Sequence, residues 1–452
     1  MKEYFISPYT LSNGFNFLGA FVFCENDIAF LINRNTGTSI ILNEELLNTI
    51  ENQSLGEDLQ LKLVQRFLGQ YHESKMPNDV LKIVLPRYFM INVTSQCNLR
   101  CKYCFREHEA SGTISKEMIL KICDFINNYC LESHIDCINI QPWGGEPLIA
   151  YERIIDIDDY FKKTNIKATI AFQTNGTLLT DDRVAELNSR KIGFGISIDG
   201  IKDINDQQRV FCDGSGTYDK ICEGIHCALK NGCDNIGAIS VITTKNIGHI
   251  YESLKELIVQ HKAKSIKCNV VKQTKQSDIE NFNEIQIQDF AIELLNAVIK
   301  LRLEGFCFQE SNIIERLHNL LNISNSNICN SNGCTGGKRM VSFDSYGNIF
   351  PCEMVDFPDE KLGDIFNNQP LHEMIERAII EKDYFSDKYD TKCDKCPWWS
   401  YCKGGCSTSL KYQGCAPNTI DKSECSFNIA LYSAIVKLIV EHPNHVKLLL
   451  CL

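Results

Sequence analysis

The chain has 452 residues, 44% of them hydrophobic and 23% charged, with 46 basic against 57 acidic side chains and a net charge of −11. That length exceeds one ordinary core and calls for two or three domains, and the acidic balance argues against nucleic acid or an anionic membrane as the main partner. Met1-Lys2-Glu3-Tyr4 begins no signal peptide and no uninterrupted apolar stretch reaches transmembrane length, so the expected location is cytoplasmic. Twenty-three cysteines in a long chain without an export signal point to metal ligation before disulfides, and to an anaerobic host.

Residues 1–80 read as a small separate domain. Ala20-Phe21-Val22-Phe23 and Ala29-Phe30-Leu31-Ile32 flank a hairpin turn at Glu25-Asn26-Asp27, and Asn35-Thr36-Gly37 is a second turn before Ser39-Ile40-Ile41-Leu42. Two helical patterns follow. Asn43 can cap the first, with Glu44 and Glu45 at its positive end. Ser54-Leu55-Gly56-Glu57 has the form of a capping box for the second, whose apolar residues include Leu61, Val64, Phe67 and Leu68.

Residues 86–275 alternate strand and helix. Strands are expected at 88–94, 136–141, 168–174, 192–198, 236–242 and 265–271. Ser115 starts one amphipathic helix, with Met118, Ile119, Ile122, Phe125, Ile126 and Tyr129 on its apolar side, and Thr180 starts another. Six such repeats predict an α/β fold, a partial (β/α)6 TIM-like barrel of parallel strands with its site at the strands' C-terminal ends. Residues 276–328 read as a helical bridge, in which Phe290, Leu294, Leu295, Val298 and Leu301 share a face. Residues 329–428 are rich in Cys, Gly, Asn and Asp, a composition that needs metal to supply what a small core cannot. A C-terminal helix over 429–452 follows, through Ile429, Tyr432, Ile435, Leu438 and Ile439.

The chemistry centres on Cys97-Asn98-Leu99-Arg100-Cys101-Lys102-Tyr103-Cys104, a CxxxCxxC loop after the first barrel strand. Three thiolates can hold three irons of a [4Fe–4S] cube and leave the fourth iron open to a small chelating molecule. Zinc prefers four protein ligands, and no fourth Cys or His sits at the usual short spacing. The loop, with Tyr103 before its last Cys, resembles the signature of the radical S-adenosylmethionine (AdoMet) enzymes. The resemblance implies that AdoMet binds the open iron and that one electron cleaves it to a hydrogen-abstracting 5'-deoxyadenosyl radical. Trp143-Gly144-Gly145-Glu146-Pro147 ends the second strand, and by the same resemblance Gly144, Gly145 and Glu146 lie along the methionyl amino group. Asn175 and Asp199 stand at the ends of strands three and four. Ser197 and Arg209 match the residues that contact the methionyl end in related maturases, and a guanidinium suits a carboxylate.

The C-terminal third carries a second pattern. Cys334, Gly347 and Cys352 fit CX9–15GX4C, and Cys393, Cys396, Cys402 and Cys406 fit CX2CX5CX3C, with Cys425 after a gap. This is similar to the seven-cysteine pattern of the SPASM extension, which implies two auxiliary [4Fe–4S] clusters. Carried over by position, Cys334, Cys352 and Cys406 hold the inner one, with Cys329 a fourth ligand or else an iron left open. Cys393, Cys396, Cys402 and Cys425 hold the outer one. Cys415 is a competing thiol. Glu353 holds the position of an acidic base in sulfatase-maturing relatives. The remaining cysteines, such as Cys123, Cys137, Cys222 and Cys268, are expected to be buried small hydrophobes.

The resemblance implies a radical SAM/SPASM peptide maturase. Its N-terminal domain is winged-helix-like and holds the leader of a ribosomally made precursor peptide as an added strand. Its electron comes from a low-potential donor of the flavodoxin or ferredoxin type, and its product is expected to be a thioether cross-link in a Cys-rich peptide. A sulfatase-maturating enzyme that makes formylglycine and a carbon–carbon cross-linker are the alternatives within the class, and a non-catalytic metal-binding scaffold is the alternative outside it.

Overall fold

The computed structural model describes residues 1–66, 68–71, 85–106, 112–272, 282–323, 329, 333–355, 357–367, 369–381, 389–416 and 419–451. Phe67 and the first residues of the expected bridge, 276–281, lie outside them.

The N-terminal part begins with β1 (Lys2–Ile6), β2 (Tyr9–Thr10), β3 (Phe15–Phe17), β4 (Ala20–Glu25), β5 (Ile28–Ile32) and β6 (Ser39–Asn43). Asn26 and Asp27 both take positive φ, the two-residue turn that matches hairpin twist, and so β4 and β5 pair antiparallel. The sheet order is β1-β4-β5-β6. Helix α1 (Glu44–Glu51) is capped by Asn43, whose side chain accepts from the Leu46 amide. Helix α2 (Glu57–Gln65) departs from expectation: Gly56 is its N-cap, and no capping box forms at Ser54. Residues 52–54 are occupied in closing α1, where the Ser54 amide donates to the Thr49 carbonyl at 2.8 Å. The buried face of α2 is Leu59 and Leu63, and Leu61 points outward. Strand β7 (Gly69–Tyr71) closes a second small sheet, β2-β3-β7.

This sheet is covered on both sides. Val22, Ala29 and Leu31 face α1 and α2, while Phe23, Phe30 and Ile32 face the rest of the molecule. Phe23 stacks on Trp398 at 5.5 Å between centroids. Burial of each such aromatic stabilises by about 1.5–3 kcal/mol.

Strands β8 (Tyr88–Thr94), β9 (Cys137–Gly144), β10 (Lys167–Thr174), β11 (Gly193–Ser197), β12 (Ile236–Ile242) and β13 (Ala263–Val270) pair parallel in chain order. These are the six expected barrel strands. Helices α3 (Lys116–Glu132), α4 (Tyr151–Phe161), α5 (Asp181–Arg190), α6 (Lys202–Gln208), α7 (Tyr218–Lys230) and α8 (Ile250–Val259) connect them. Ser115 and Thr180 cap α3 and α5 as expected. Parallel order sends every strand-to-helix loop to one end of the sheet, where side chains from distant parts of the chain can meet.

Helix α9 (Glu284–Leu303) buries Phe290, Leu294, Leu295, Val298 and Leu301. Strand β14 (Gln309–Glu310) extends the sheet beyond β13, followed by α10 (Ser311–Leu320). At the opposite edge β15 (Met340–Phe343) pairs parallel with β8, and β16 (Asn348–Phe350) and β17 (Gly363–Asp364) continue antiparallel. The Cys-rich segment is thereby stitched onto the strand that carries the CxxxCxxC loop.

Then come α11 (Leu371–Glu381), α12 (Trp399–Cys402), α13 (Ser407–Tyr412), α14 (Lys422–Glu441) and α15 (Pro443–Leu449). Helix α14 starts earlier than the apolar pattern indicates, because Asp421 caps it, and Cys425 lies in its first turn. It is long and apolar enough to cross a membrane by length and composition, yet more than half of it is buried. Phe427 stacks on Phe290 at 5.6 Å, and Tyr432 stacks on Trp398 and Tyr401 at 5.2 Å each. Cys123 and Cys268 are buried as expected, but Cys137 is exposed at the first position of β9, outside the core, and Cys222 is half-buried.

Candidate active site

The Cys97–Cys104 loop leaves β8 and is held by backbone. The Arg100 amide donates to the Val210 carbonyl at 2.7 Å and the Lys102 amide to the Gln208 carbonyl at 2.9 Å. Leu99 bridges Phe211, and the Cys104 amide closes a turn on the Cys101 carbonyl at 3.0 Å. The three thiols are half-buried at the barrel's C-terminal end. Burial pushes the Cys97 thiol up to about 12, and it also raises Cys101, against the pull of the Arg209 charge. Such thiols ionise only against a strong local positive charge, which bound iron supplies.

The GGEP segment locks this loop in place. The Gly145 amide donates to the Thr94 carbonyl at 2.9 Å and the Glu146 amide to the Gln96 carbonyl at 2.8 Å. A Cβ on Gly144 would lie 1.9 Å from the Thr94 oxygen, and one on Gly145 would lie 2.2 Å from the Gln96 oxygen. Glycine is required here by close approach to the cysteine loop itself. Glu146 is buried and its carboxylate accepts from the Leu148 amide at 3.0 Å, the Thr174 hydroxyl at 2.7 Å and the Asn175 amide at 2.7 Å. Burial raises its pKa while these donors hold the charged form. It ties the end of β9 to the end of β10.

Asn175 donates from its side chain to Asn98 Oδ1 at 2.9 Å, and Asn98 donates to the Thr177 hydroxyl at 2.8 Å. The loop after β10 thus grips the cysteine loop from a second side. Sequence reasoning missed Asn98, Thr174 and Thr177; the run Thr174-Asn175-Gly176-Thr177 at a strand end was the available signal.

A third brace is buried. Arg209 Nη1 donates to the Tyr103 hydroxyl at 2.6 Å, and that hydroxyl donates to Asp199 Oδ2 at 2.8 Å. Asp199 Oδ1 accepts the Val241 amide at 2.9 Å. Arg209 is 6% exposed and its Nε has no hydrogen-bond partner among the described residues. An orphaned donor on a buried guanidinium is costly, and a ligand carboxylate beside the cysteine loop would satisfy it. Ser197 is half-buried at the end of β11, two residues before Asp199. The residues present therefore fit an iron–sulfur cube with a small zwitterionic ligand.

The C-terminal thiols fall into two groups by mutual electrostatic influence. The Cys329 thiol is raised by burial and then by Glu353, Cys334 and, further down, Cys406; Cys406 is itself affected by Cys334. Cys334 and Cys352 share one apolar cluster with Met90, Trp143 and Met340. Cys396, Cys402 and Cys425 are all raised by burial first, and each then feels others of the group that includes Cys393. Cys415 is exposed. Among the described residues no three Cys, His, Asp or Glu side chains close on a single-ion site.

Lys272, which the motif search missed, bonds Glu424 at 3.0 Å and lies 3.6 Å from Asp421. After burial, which pushes the Cys406 thiol up to about 11, Lys272 is the largest influence on it and holds it down. Glu353 is half-buried, and burial raises its carboxyl against the nearby charge of Arg106. Arg106 covers the Trp143 ring at 4.5 Å. Glu353 is near enough to Tyr88 of β8 and to Cys329 to raise both.

Residues 91–257 match the radical SAM superfamily. An uncharacterized protein of Methanocaldococcus jannaschii is 32% identical over 207 residues, which cover 44% of this chain and 70% of that one. The chain belongs to the radical SAM superfamily. As a radical SAM enzyme it uses a [4Fe–4S] cluster and AdoMet. The cysteine-type anaerobic sulfatase-maturating enzyme of Clostridium novyi is 24% identical over 335 residues, 69% of this chain and 85% of that enzyme. Two solved structures share the radical SAM fold. The one titled native anSMEcpe with bound AdoMet and Kp18Cys peptide superposes with a TM-score of 0.66 at 21% identity, covering 78% of this chain and 99% of that one. Streptococcus suis SuiB bound to precursor peptide SuiA superposes with a TM-score of 0.55 at 17% identity, covering 92% of this chain and 99% of that one.

Proposed function

We propose that this radical SAM enzyme modifies a ribosomally made, Cys-rich precursor peptide and installs a thioether cross-link. The observation that carries the reading is the pair of thiol groups beyond the Cys97–Cys104 loop, joined to it through β15 and the cluster around Trp143. A simple AdoMet-cleaving site has no use for them.

In this reading Cys97, Cys101 and Cys104 hold three irons of the first cluster. Gly144, Gly145, Ser197 and Arg209 meet the methionyl end of AdoMet, and Glu146, Asn175 and Asp199 position the backbone and side chains that do so. When bound, the cluster and AdoMet supply one-electron reduction and abstraction of a hydrogen atom. Cys334, Cys352 and Cys406, with Cys329, hold one auxiliary [4Fe–4S] cluster, and Cys393, Cys396, Cys402 and Cys425 hold the other, giving three in all. Glu353 accepts a substrate proton; burial raises its pKa and so strengthens it as a base. The reductant is a flavodoxin- or ferredoxin-type donor.

The N-terminal unit, within residues 1–80, serves as the peptide-recognition domain. Strand β1 is an edge of its sheet, and a leader peptide can add there as a further strand. Arg34 Nε donates to the Cys393 carbonyl at 2.9 Å, so a bound leader would sit on the unit that touches the outer thiol group. Residues 86–275 form the catalytic barrel, 276–328 the bridge, 329–428 the auxiliary-cluster domain and 429–452 the closing helices.

A second reading, formylglycine formation on a sulfatase, is favoured by the Clostridium novyi relative's name. Mass spectrometry of a co-expressed precursor separates the two. Loss of two hydrogens per link with the thiols blocked supports the thioether. A new aldehyde at a Cys position supports the second reading, and an unchanged thiol count sinks the first. Absence of 5'-deoxyadenosine after anaerobic reconstitution and dithionite would overturn both.

A further inference from the structure

Two cysteines far from both thiol groups lie against each other. Cys307 follows the end of α9, and Cys451 follows α15. Their sulfurs are 3.4 Å apart although 144 residues separate them in sequence. Both are exposed. Arg302, in the last turn of α9, is buried and reaches under the pair: its Nη2 donates to the Leu449 carbonyl at 3.2 Å and to Cys451 Sγ at 2.9 Å. The chain therefore brings together two accessible sulfurs and a fixed cation, the setting in which a thiol becomes nucleophilic.

We propose that Cys307 and Cys451 form a redox-active dithiol that low-molecular-weight disulfides oxidise to an internal cross-link. Closing the sulfur gap to the ~2.05 Å of a disulfide takes a shift of about 1.3 Å, well within the freedom of exposed side chains. Arg302 Nη2 lies 2.9 Å from Cys451 Sγ and holds negative charge on the pair. One thiolate of the pair attacks one sulfur of the small disulfide and expels one thiol. The other cysteine then attacks the protein-bound sulfur of the mixed disulfide and expels the second. The protein loses two hydrogens, and the small disulfide is reduced to two thiols. The bond fastens α15 to the end of α9, the helix whose other contacts include α14 and hence the turn that carries Cys425.

The test uses the full chain, iron-loaded and kept without oxygen, titrated with oxidised against reduced glutathione. Free thiols are then alkylated and the digest is weighed. The expected result is one species joining the Cys307 and Cys451 peptides, two hydrogens lighter than their sum and split by dithiothreitol. Exposed Cys137, Cys212 and Cys415 take up glutathione singly. In Cys307→Ser the cross-link vanishes and Cys451 carries glutathione. Separate glutathione adducts on Cys307 and Cys451 in the unaltered protein overturn the proposal, and so does a bond from either to a third cysteine. Iron content measured before and after places the change at this pair when it stays constant.

Discussion

Arg209 and Tyr103 meet at 2.6 Å across the cysteine loop, 106 residues apart in the chain, with the phenol in turn donating a hydrogen bond to Asp199 at 2.8 Å. The aromatic residue before the last cysteine of the loop is thus a polar link between a buried guanidinium and a buried carboxylate. Replacing it by Phe keeps the ring and removes the link. Two charged groups then sit in the interior without a shared partner, a change that costs about 1–3 kcal/mol. Urea melting of the metal-free Tyr103→Phe protein is expected to show that loss, and AdoMet is expected to bind more weakly to the reconstituted variant. Unchanged stability and unchanged AdoMet binding would mean that the brace is idle.

The contact between Gly145 and the cysteine loop gives a steric prediction. A methyl group there would meet the Gln96 oxygen at 2.2 Å, one residue before Cys97. Backbone cannot yield as a side-chain tip does, so Gly145→Ala should cost about 1–3 kcal/mol by overpacking. The loop that holds the first cluster should shift with it. Iron analysis after anaerobic reconstitution is expected to show selective loss at this site with the C-terminal iron retained.

The barrel was legible because its strands are short apolar runs bounded by polar turns and alternating with amphipathic helices, two of which carry side-chain caps. Ser115 and Thr180 announce their helices by chemistry that acts within four residues. The cysteine spacings were legible for the same reason, being local. What the sequence hid is long-range. Arg209 reads as a carboxylate receptor, and its bond from Nη1 to the Tyr103 hydroxyl has no counterpart in any spacing rule. The glycines before Glu146 read as room for a ligand, and no spacing rule shows that a Cβ there would also meet the backbone of residues 94–96. The capping box at Ser54 failed because the same residue closes the preceding helix. No spacing rule exposes Lys272, whose partners Asp421 and Glu424 come from the far end of the chain.

His261 sets a pH dependence. It is 7% exposed, its Nε2 lies 3.1 Å from the Tyr218 hydroxyl, and burial lowers its pKa. The folded form therefore holds fewer protons than the unfolded one between the depressed value and about 6.5. Stability is fully present above about 6.5 and is lost as pH falls from there through the folded pKa. Urea midpoints of the metal-free protein should fall on acidification across this window, and those of His261→Gln should fall less. Parallel curves for the two proteins would refute the assignment.

The two C-terminal thiol groups predict separable iron losses. Cys425 and Cys396 raise the Cys402 thiol and Cys396 and Cys393 raise Cys425, whereas Cys334 raises both Cys406 and Cys329. If each group holds one [4Fe–4S] cluster, the reconstituted protein carries about twelve irons with the AdoMet site included. A Cys402→Ala/Cys425→Ala variant should then retain about eight and still cleave AdoMet, because it leaves Cys97, Cys101 and Cys104 and the Arg209–Tyr103–Asp199 brace unaltered. Cys352→Ala/Cys406→Ala should lose about four from the other group. Cys329→Ala discriminates further: full iron with an altered electron paramagnetic resonance signal means that the fourth inner iron accepts another ligand, and loss of about four irons means that Cys329 is needed to hold that cluster. Concerted loss of both auxiliary clusters in the Cys402→Ala/Cys425→Ala variant would show that the segment folds around one metal unit and that the two thiol groups are not independent.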